Sequence, residues 1–121
     1  MPDLQLGTVE SRFADIIWQN EPISSAALAQ YAAQQLQWKK TTSYTVLKRL
    51  CDKGIFQNQQ GTVTALISRA DFYAMQSEKF VEDTFDGSLP AFLAAFTARK
   101  HLSTEEVAVL RQMVAEYEED T

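Results

Sequence analysis

The sequence predicts a mainly α-helical chain with one small β-hairpin, on three observations. Three amphipathic helix patterns follow one another between residues 8 and 53. A β-branched run, Thr62–Ile67, then follows the turn residues Gln59-Gln60-Gly61. Beyond it lie further helical patterns rich in Phe, Leu and Val.

The first helix is expected from about Val9 to Gln19. Thr8 can cap it, and Glu10 sits favourably in its first turn. Val9, Phe13, Ile16 and Ile17 follow the spacing of one buried face. Asn20-Glu21-Pro22 ends it. The second helix starts after Ser24, with Ile23 and Leu28 spaced as a hydrophobic staple. Leu28, Tyr31 and Ala32 make its expected buried face, and its many alanines suit close packing.

The third helix is expected from Lys40 to Asp52, stopped by Gly54. Val46, Leu47 and Leu50 fall on its apolar side. Ile55–Asn58 reads as a strand, Gln59-Gln60-Gly61 as a turn and Thr62–Ile67 as the returning strand. Three helices followed by a hairpin is the order of a winged helix-turn-helix.

Ser68-x-x-Asp71 then opens a fourth helix holding Phe72, Met75, Val81 and Phe85, broken at Asp86-Gly87. Leu89–Ala98 forms a short fifth helix. Ser103-x-x-Glu106 is a capping box for the last one, with Leu102 and Val107 able to staple its start. The expected division is a winged-helix region over 1–69 and a helical region over 70–121.

Overall composition is that of an ordinary globular chain, 45% hydrophobic and 22% charged. No apolar run approaches the roughly 18–20 residues that span a bilayer. The N-terminal residues lack the pattern of a secretory signal, and Cys51 is the only cysteine. A cytoplasmic location is the expectation.

The net charge of −5 taken alone argues against nucleic acid, but its distribution does not. Residues 1–69 hold seven basic and five acidic side chains, a balance of +2, and residues 70–121 hold four and eleven, a balance of −7. Residues 39–53 alone carry five basic side chains against one acidic. Binding to DNA depends on local phosphate neutralisation, not on overall charge.

The KKTTSYTVLKRL segment carries the candidate chemistry. Thr41, Thr42 and Thr45 offer hydroxyls and methyls that suit base edges in a major groove, and Tyr44 is counted with them among the DNA-binding candidates. Lys39, Lys40, Lys48 and Arg49 can hold phosphates, which positions a helix without specifying sequence. Gln59 and Gln60 at the wing tip can reach backbone or an adjacent minor groove. The bland alternative is a solvated surface helix.

Ile16-Ile17-Trp18, Trp38, Lys40-Thr41-Thr42, Thr45–Leu50 and Lys53-Gly54 sharpen the choice. With them go Phe85-x-Gly87-Ser88-Leu89 and Leu102-Ser103-x-Glu105-Glu106. On these residues the sequence resembles the BlaI/MecI/CopY group of bacterial repressors, typified by penicillinase repressors. The resemblance implies a homodimer that places two recognition helices, residues 40–53, on a dyad-symmetric double-stranded operator, with the C-terminal helices as the dimer interface. The chain departs from the group in three places. The Asn-Phe pair cleaved in penicillinase repressors is matched by Ala95-Phe96. The copper branch's Cys-x-Cys motifs are absent. Lys39-Lys40 stands where many relatives have Ser-Pro.

The candidate dimer residues are Phe85, Leu89, Phe92, Leu93 and Phe96, with Leu102, Val107, Leu110 and Val114. A short helical hairpin cannot bury so many apolar side chains by itself, so a second copy is the expected cover.

No catalytic, metal or cofactor site is predicted. His101 has no second ligand beside it, and Cys51 reads as a structural thiol. The carboxylates near the C-terminus read as a cap and a solvated end. A second reading keeps the winged helix but docks it on a protein partner, prompted by the acidic net charge and the uncharged wing tip. A signalling protease of unknown identity is a further candidate partner.

Overall fold

The computed structural model describes residues 2–120. Three helices, α1 (Thr8–Asn20), α2 (Ser25–Leu36) and α3 (Lys40–Asp52), are joined by short connections. A strand, β1 (Ile23–Ser24), precedes α2, and β2 (Phe56–Gln59) and β3 (Thr62–Ala65) follow α3. The helices α4 (Arg69–Phe85), α5 (Leu89–Thr97) and α6 (Thr104–Asp120) complete the chain. The sheet is antiparallel in the order β1-β3-β2. This is a winged helix-turn-helix with helices appended.

The chain divides into two compact units, one up to Lys79 and one from Phe80 onward, with the boundary inside α4. The first holds the buried core. Phe13 and Ile17 of α1 meet Leu28 and Ala32 of α2 and Val46, Leu47 and Leu50 of α3. Ile55, Phe56 and Val63 close it from the hairpin, and Phe72 closes it from α4. Side chains of this size each contribute roughly 1.5–3 kcal/mol on burial. The core therefore holds α3 rigidly by its apolar side.

Several local details differ from the sequence expectation. The cap of α1 is Gly7, one residue earlier than Thr8. The Glu10 carboxylate accepts the Gly7 N–H at 3.1 Å, which draws Thr8 into the helix. Val9 lies 48% exposed and Tyr31 38% exposed, so neither belongs to the buried faces assigned to them. Leu4 and Ala29 are buried instead. The two-residue strand β1 was not foreseen. Ile23 pairs with Val63 and Ser24 with Thr62. Beyond that pairing, the Glu21 carboxylate accepts the Ala65 N–H at 2.8 Å, so a side chain continues the hydrogen bonding of the strand.

The second helix begins as expected, with Ser24 Oγ accepting the Ala27 N–H at 3.0 Å and both staple residues, Ile23 and Leu28, buried. The α2–α3 turn opens on Gln37 at φ 57. Gly54 follows α3 at φ 82, a backbone conformation that favours glycine.

The first aromatic anchor is Trp18. Its ring lies 5.1 Å from Phe56, 5.5 Å from Phe72 and 6.1 Å from Tyr73 between centroids. Its indole N–H donates to the Ile67 carbonyl at 3.0 Å. Arg69 adds an ion pair to Asp15 at 2.9 Å and stacks over Tyr73. Together these tie the start of α4 to α1 and the sheet.

In the second unit Ser88 caps α5 through the Ala91 N–H. The capping box of α6 forms as read: Glu106 accepts the Ser103 N–H at 2.9 Å, and Ser103 Oγ accepts the Glu106 N–H at 3.0 Å. Those bonds hold the Glu106 carboxyl below the usual carboxylate range. Rings of Phe80, Phe85, Phe92 and Phe96 form a chain with successive centroids about 6 Å apart. Neither α5 nor α6 contains a buried residue.

Candidate nucleic-acid interface

The candidate interface is the outward side of α3. Ser43, Val46, Leu47 and Leu50 point inward and are buried. Lys40, Thr41, Thr42, Tyr44, Thr45, Lys48 and Arg49 are all exposed. The 3.6-residue period sorts the helix into these two sides, because every residue that packs on α1, α2 or the hairpin lies on one stripe. The core holds the helix, and its polar side is left for a ligand.

At the start of α3 the capping position is Lys39, whose side chain makes no capping hydrogen bond. A lysine carries only donors, so the first-turn amides receive no side-chain acceptor from it. Amide donors and two lysines thus stand together at one end, a combination suited to an anion. The Lys40 ammonium lies 5.9 Å from the centre of the Tyr44 ring. The Thr45 hydroxyl donates to the Thr41 carbonyl at 2.9 Å, which commits its proton and leaves its methyl and lone pairs to the outside.

The other end is organised by residues that the sequence pattern did not connect. The Lys53 ammonium lies 3.6 Å from Glu10 Oε2, and Arg49 Nη1 lies 4.0 Å from the same oxygen. Lys53 also donates to the Gln5 carbonyl, and its own carbonyl accepts the Asp3 N–H at 2.9 Å. Gln76 of α4 donates to the Leu4 carbonyl at 2.9 Å. The segment Asp3–Gln5 is thereby strapped to the end of α3 and to α4. A local period cannot reveal these bonds, since they join residues 48 to 72 positions apart. Glu10 was visible in the sequence only as a first-turn acid.

The wing is short. Gln59 pairs with Thr62, so Gln60 and Gly61 alone make the turn, with φ 54 and 88. Both central residues at positive φ match the tight hairpin turn that suits strand twist. The Asn58 side chain accepts the Gly61 N–H at 3.0 Å. The Gly61 carbonyl accepts the Ser25 N–H at 2.8 Å, which pins the tip against the first turn of α2. Gln59 and Gln60 remain exposed.

A sequence profile described as the penicillinase repressor matches residues 6–116, a span that covers the three helices, the hairpin and most of the C-terminal helices. The chain belongs to the penicillinase repressor family. A penicillinase repressor of Bacillus licheniformis is 26% identical over 117 residues, covering 93% of this chain and 91% of that protein. The methicillin resistance regulatory protein MecI of Staphylococcus aureus strain N315 is 21% identical over 114 residues, covering 91% and 93%.

As a penicillinase repressor family member, the chain places its most specific sequence run, Trp38 to Gly54, on α3 and its flanks. Trp38 stacks on Phe13. Cys51 sits half-buried on α3, and burial with the neighbouring Asp52 pushes its thiol up, which disfavours the reactive thiolate. Ala95 and Phe96 lie exposed on α5. Among the described residues no cluster of three or more His, Cys, Asp or Glu could hold a metal. Among the same residues no helix is long and apolar enough to cross a membrane.

The C-terminal candidates separate by exposure. Leu89, Leu93, Phe96 and Val114 are exposed, while Phe85, Phe92, Leu102, Val107 and Leu110 are half-buried. Phe92, Leu93, Phe96, Leu102, Val109 and Leu110 line an apolar groove of about 520 Å³, with Glu105 and Glu106 at its side.

Proposed function

We propose that this protein is a homodimeric transcriptional repressor that binds dyad-symmetric double-stranded DNA, with α3 in the major groove. The observation that supports this most directly is the two-sided build of α3. Its apolar side is buried, while Thr41, Thr42 and Thr45 lie exposed between Lys39 and Lys40 at one end and Lys48 and Arg49 at the other. A slim polar face between cationic ends suits base contacts in the middle and phosphate contacts outside.

The threonines have different parts in this reading. Thr45 offers a methyl, suited to a thymine methyl, because its hydroxyl proton is engaged by Thr41. Thr42 offers a hydroxyl and a methyl. Tyr44 braces the Lys40 ammonium near the phosphates. Gln59 and Gln60 approach the neighbouring backbone from the pinned wing.

The groove between α5 and α6 is the proposed dimer surface. Six large apolar side chains line it in a unit whose α5 and α6 contain no buried residue. Covering each contributes roughly 2 kcal/mol before association costs. Two copies then present two α3 helices to half-sites about one helical turn apart. The names of the relatives, a penicillinase repressor and a methicillin resistance regulatory protein, agree with a regulator and not with an enzyme. Such a regulator acts in the cytoplasm.

The deciding experiment is footprinting on the DNA upstream of its own gene, with binding followed across salt concentration. A protected dyad and salt-dependent, sequence-selective binding are expected. Absence of selective binding, together with stoichiometric capture of one protein partner, would instead favour a protein-docking winged helix.

A further inference from the structure

Glu10 stands out as an acid placed against the cationic end of α3. It does two things at once. Oε1 accepts the Gly7 N–H and caps α1. Oε2 faces Lys53 and Arg49 and is buried without a hydrogen-bond partner. The two cations stand four residues apart, Arg49 in the last turn of α3 and Lys53 at its C-cap, on one side of the helix end.

Their situations differ. The Lys53 side chain is only 17% exposed and already donates to the Gln5 carbonyl. It belongs to the strap that holds the N-terminal segment. The Arg49 side chain is 55% exposed and reaches Oε2 only at 4.0 Å, the outer limit of an ion pair. It is tethered loosely, with more than half of its side chain open to solvent. A buried oxygen with unused acceptor capacity and a loosely held guanidinium form a pair that can close or part at little cost.

We propose that Glu10 is a positioning residue for DNA discrimination, holding Arg49 in the free protein and yielding it to a phosphate only when α3 is fully seated. The inference rests on the DNA-binding reading above. Contacts to phosphates carry most of non-specific affinity. A carboxylate that competes for Arg49 lowers that affinity. In a seated complex the phosphate is fixed at short range by every other contact, and the competition is won. Glu10 therefore widens the ratio of specific to non-specific binding without touching a base.

The test is Glu10→Gln in the full chain, which removes the charge and keeps the cap, since glutamine serves at this helix position. Two duplexes are compared across salt: the footprinted upstream segment and a mixed-sequence duplex of equal length. Binding to the mixed duplex is expected to tighten roughly two- to fivefold, the range of an exposed ion pair. Its salt slope should steepen by up to about 0.9, one phosphate's worth. The upstream duplex should change less. Asp52→Asn, at an exposed acid on α3, serves as the control for general charge and should not separate the two duplexes. In an Arg49→Ala background the effect of Glu10→Gln should vanish.

Equal tightening on both duplexes, or an undiminished effect without Arg49, overturns the proposal while leaving DNA binding intact. Loss of binding by the unmutated protein overturns both. A readout on the unmutated protein guards against misfolding of the variant. As the upstream duplex is added, the Arg49 guanidinium and Glu10 carboxyl NMR resonances should shift together. A Glu10 resonance that stays still overturns the exchange.

Discussion

Phe13 of α1 and Trp38, which stands just before α3, stack with ring centroids 5.0 Å apart and planes tilted by 31°. This contact joins the buried core to the turn that leads into α3. Phe13 is wholly buried and Trp38 is half-buried. Phe13→Ala should cost about 3–5 kcal/mol and Trp38→Ala about 2 kcal/mol. Urea denaturation midpoints measure both. A neutral Trp38→Ala would mean that the turn is held without this ring.

Thr42 and Lys40 should separate base reading from phosphate holding. Thr42→Ala is expected to lower discrimination between the footprinted sequence and its single-base variants, with an unchanged salt slope. Lys40→Ala should weaken every sequence alike and flatten the slope by about one unit. Competition binding at several salt concentrations checks the pair. Identical behaviour of the two variants would remove the proposed division of labour.

Ser43 is buried on the inner side of α3, and its Oγ has no hydrogen-bond partner. An unsatisfied buried hydroxyl carries a desolvation cost, and alanine is the better helix former. Ser43→Ala should therefore stabilise the protein, by about 1 kcal/mol. A lower thermal midpoint for the variant would show that the hydroxyl does find a partner in solution.

Phe96 is an exposed ring on the α5–α6 groove. Phe96→Asp is expected to shift the protein from dimer to monomer in light scattering at micromolar concentration, while its far-ultraviolet circular dichroism stays close to wild type. A dimer that persists would move the interface away from this groove.

The Glu106 carboxyl is held below its usual range by hydrogen bonds from Ser103. A depressed value in the folded chain means that its contribution is present above the ordinary carboxylate range and disappears as pH falls through the lowered one. Helix content should therefore decline in acid more in the wild type than in Glu106→Gln, whose cap does not titrate. Circular dichroism of the two across the acid range gives the comparison; parallel curves would argue against a role for this carboxylate.

Much of the molecule was legible in the sequence for a local reason. Helix period, capping residues and turn residues act over a few positions, so the start of α2, the span of α3, the positive-φ Gly54 and the capping box at Ser103 could all be read directly. The sorting of α3 into an apolar side and a polar side follows from the same period. The misplacements were of a different kind. Val9 and Tyr31 fit an apolar pattern, yet each falls where no neighbouring element arrives to cover it. Ser43, which the sequence pattern leaves unassigned, occupies the stripe that packs.

For α3, then, its own sequence determined that it is a helix, where it stops, and which residues it offers outward. Tertiary structure alone decided what stands beside those residues. It brought Glu10 from α1 to Arg49 and Lys53, drew Lys53 into the N-terminal strap, and pinned the wing tip to the start of α2. The physical reason is range. Periodicity and capping are set by bonds between near neighbours, whereas the electrostatics of a binding face depend on charges that folding brings within a few ångströms from distant parts of the chain.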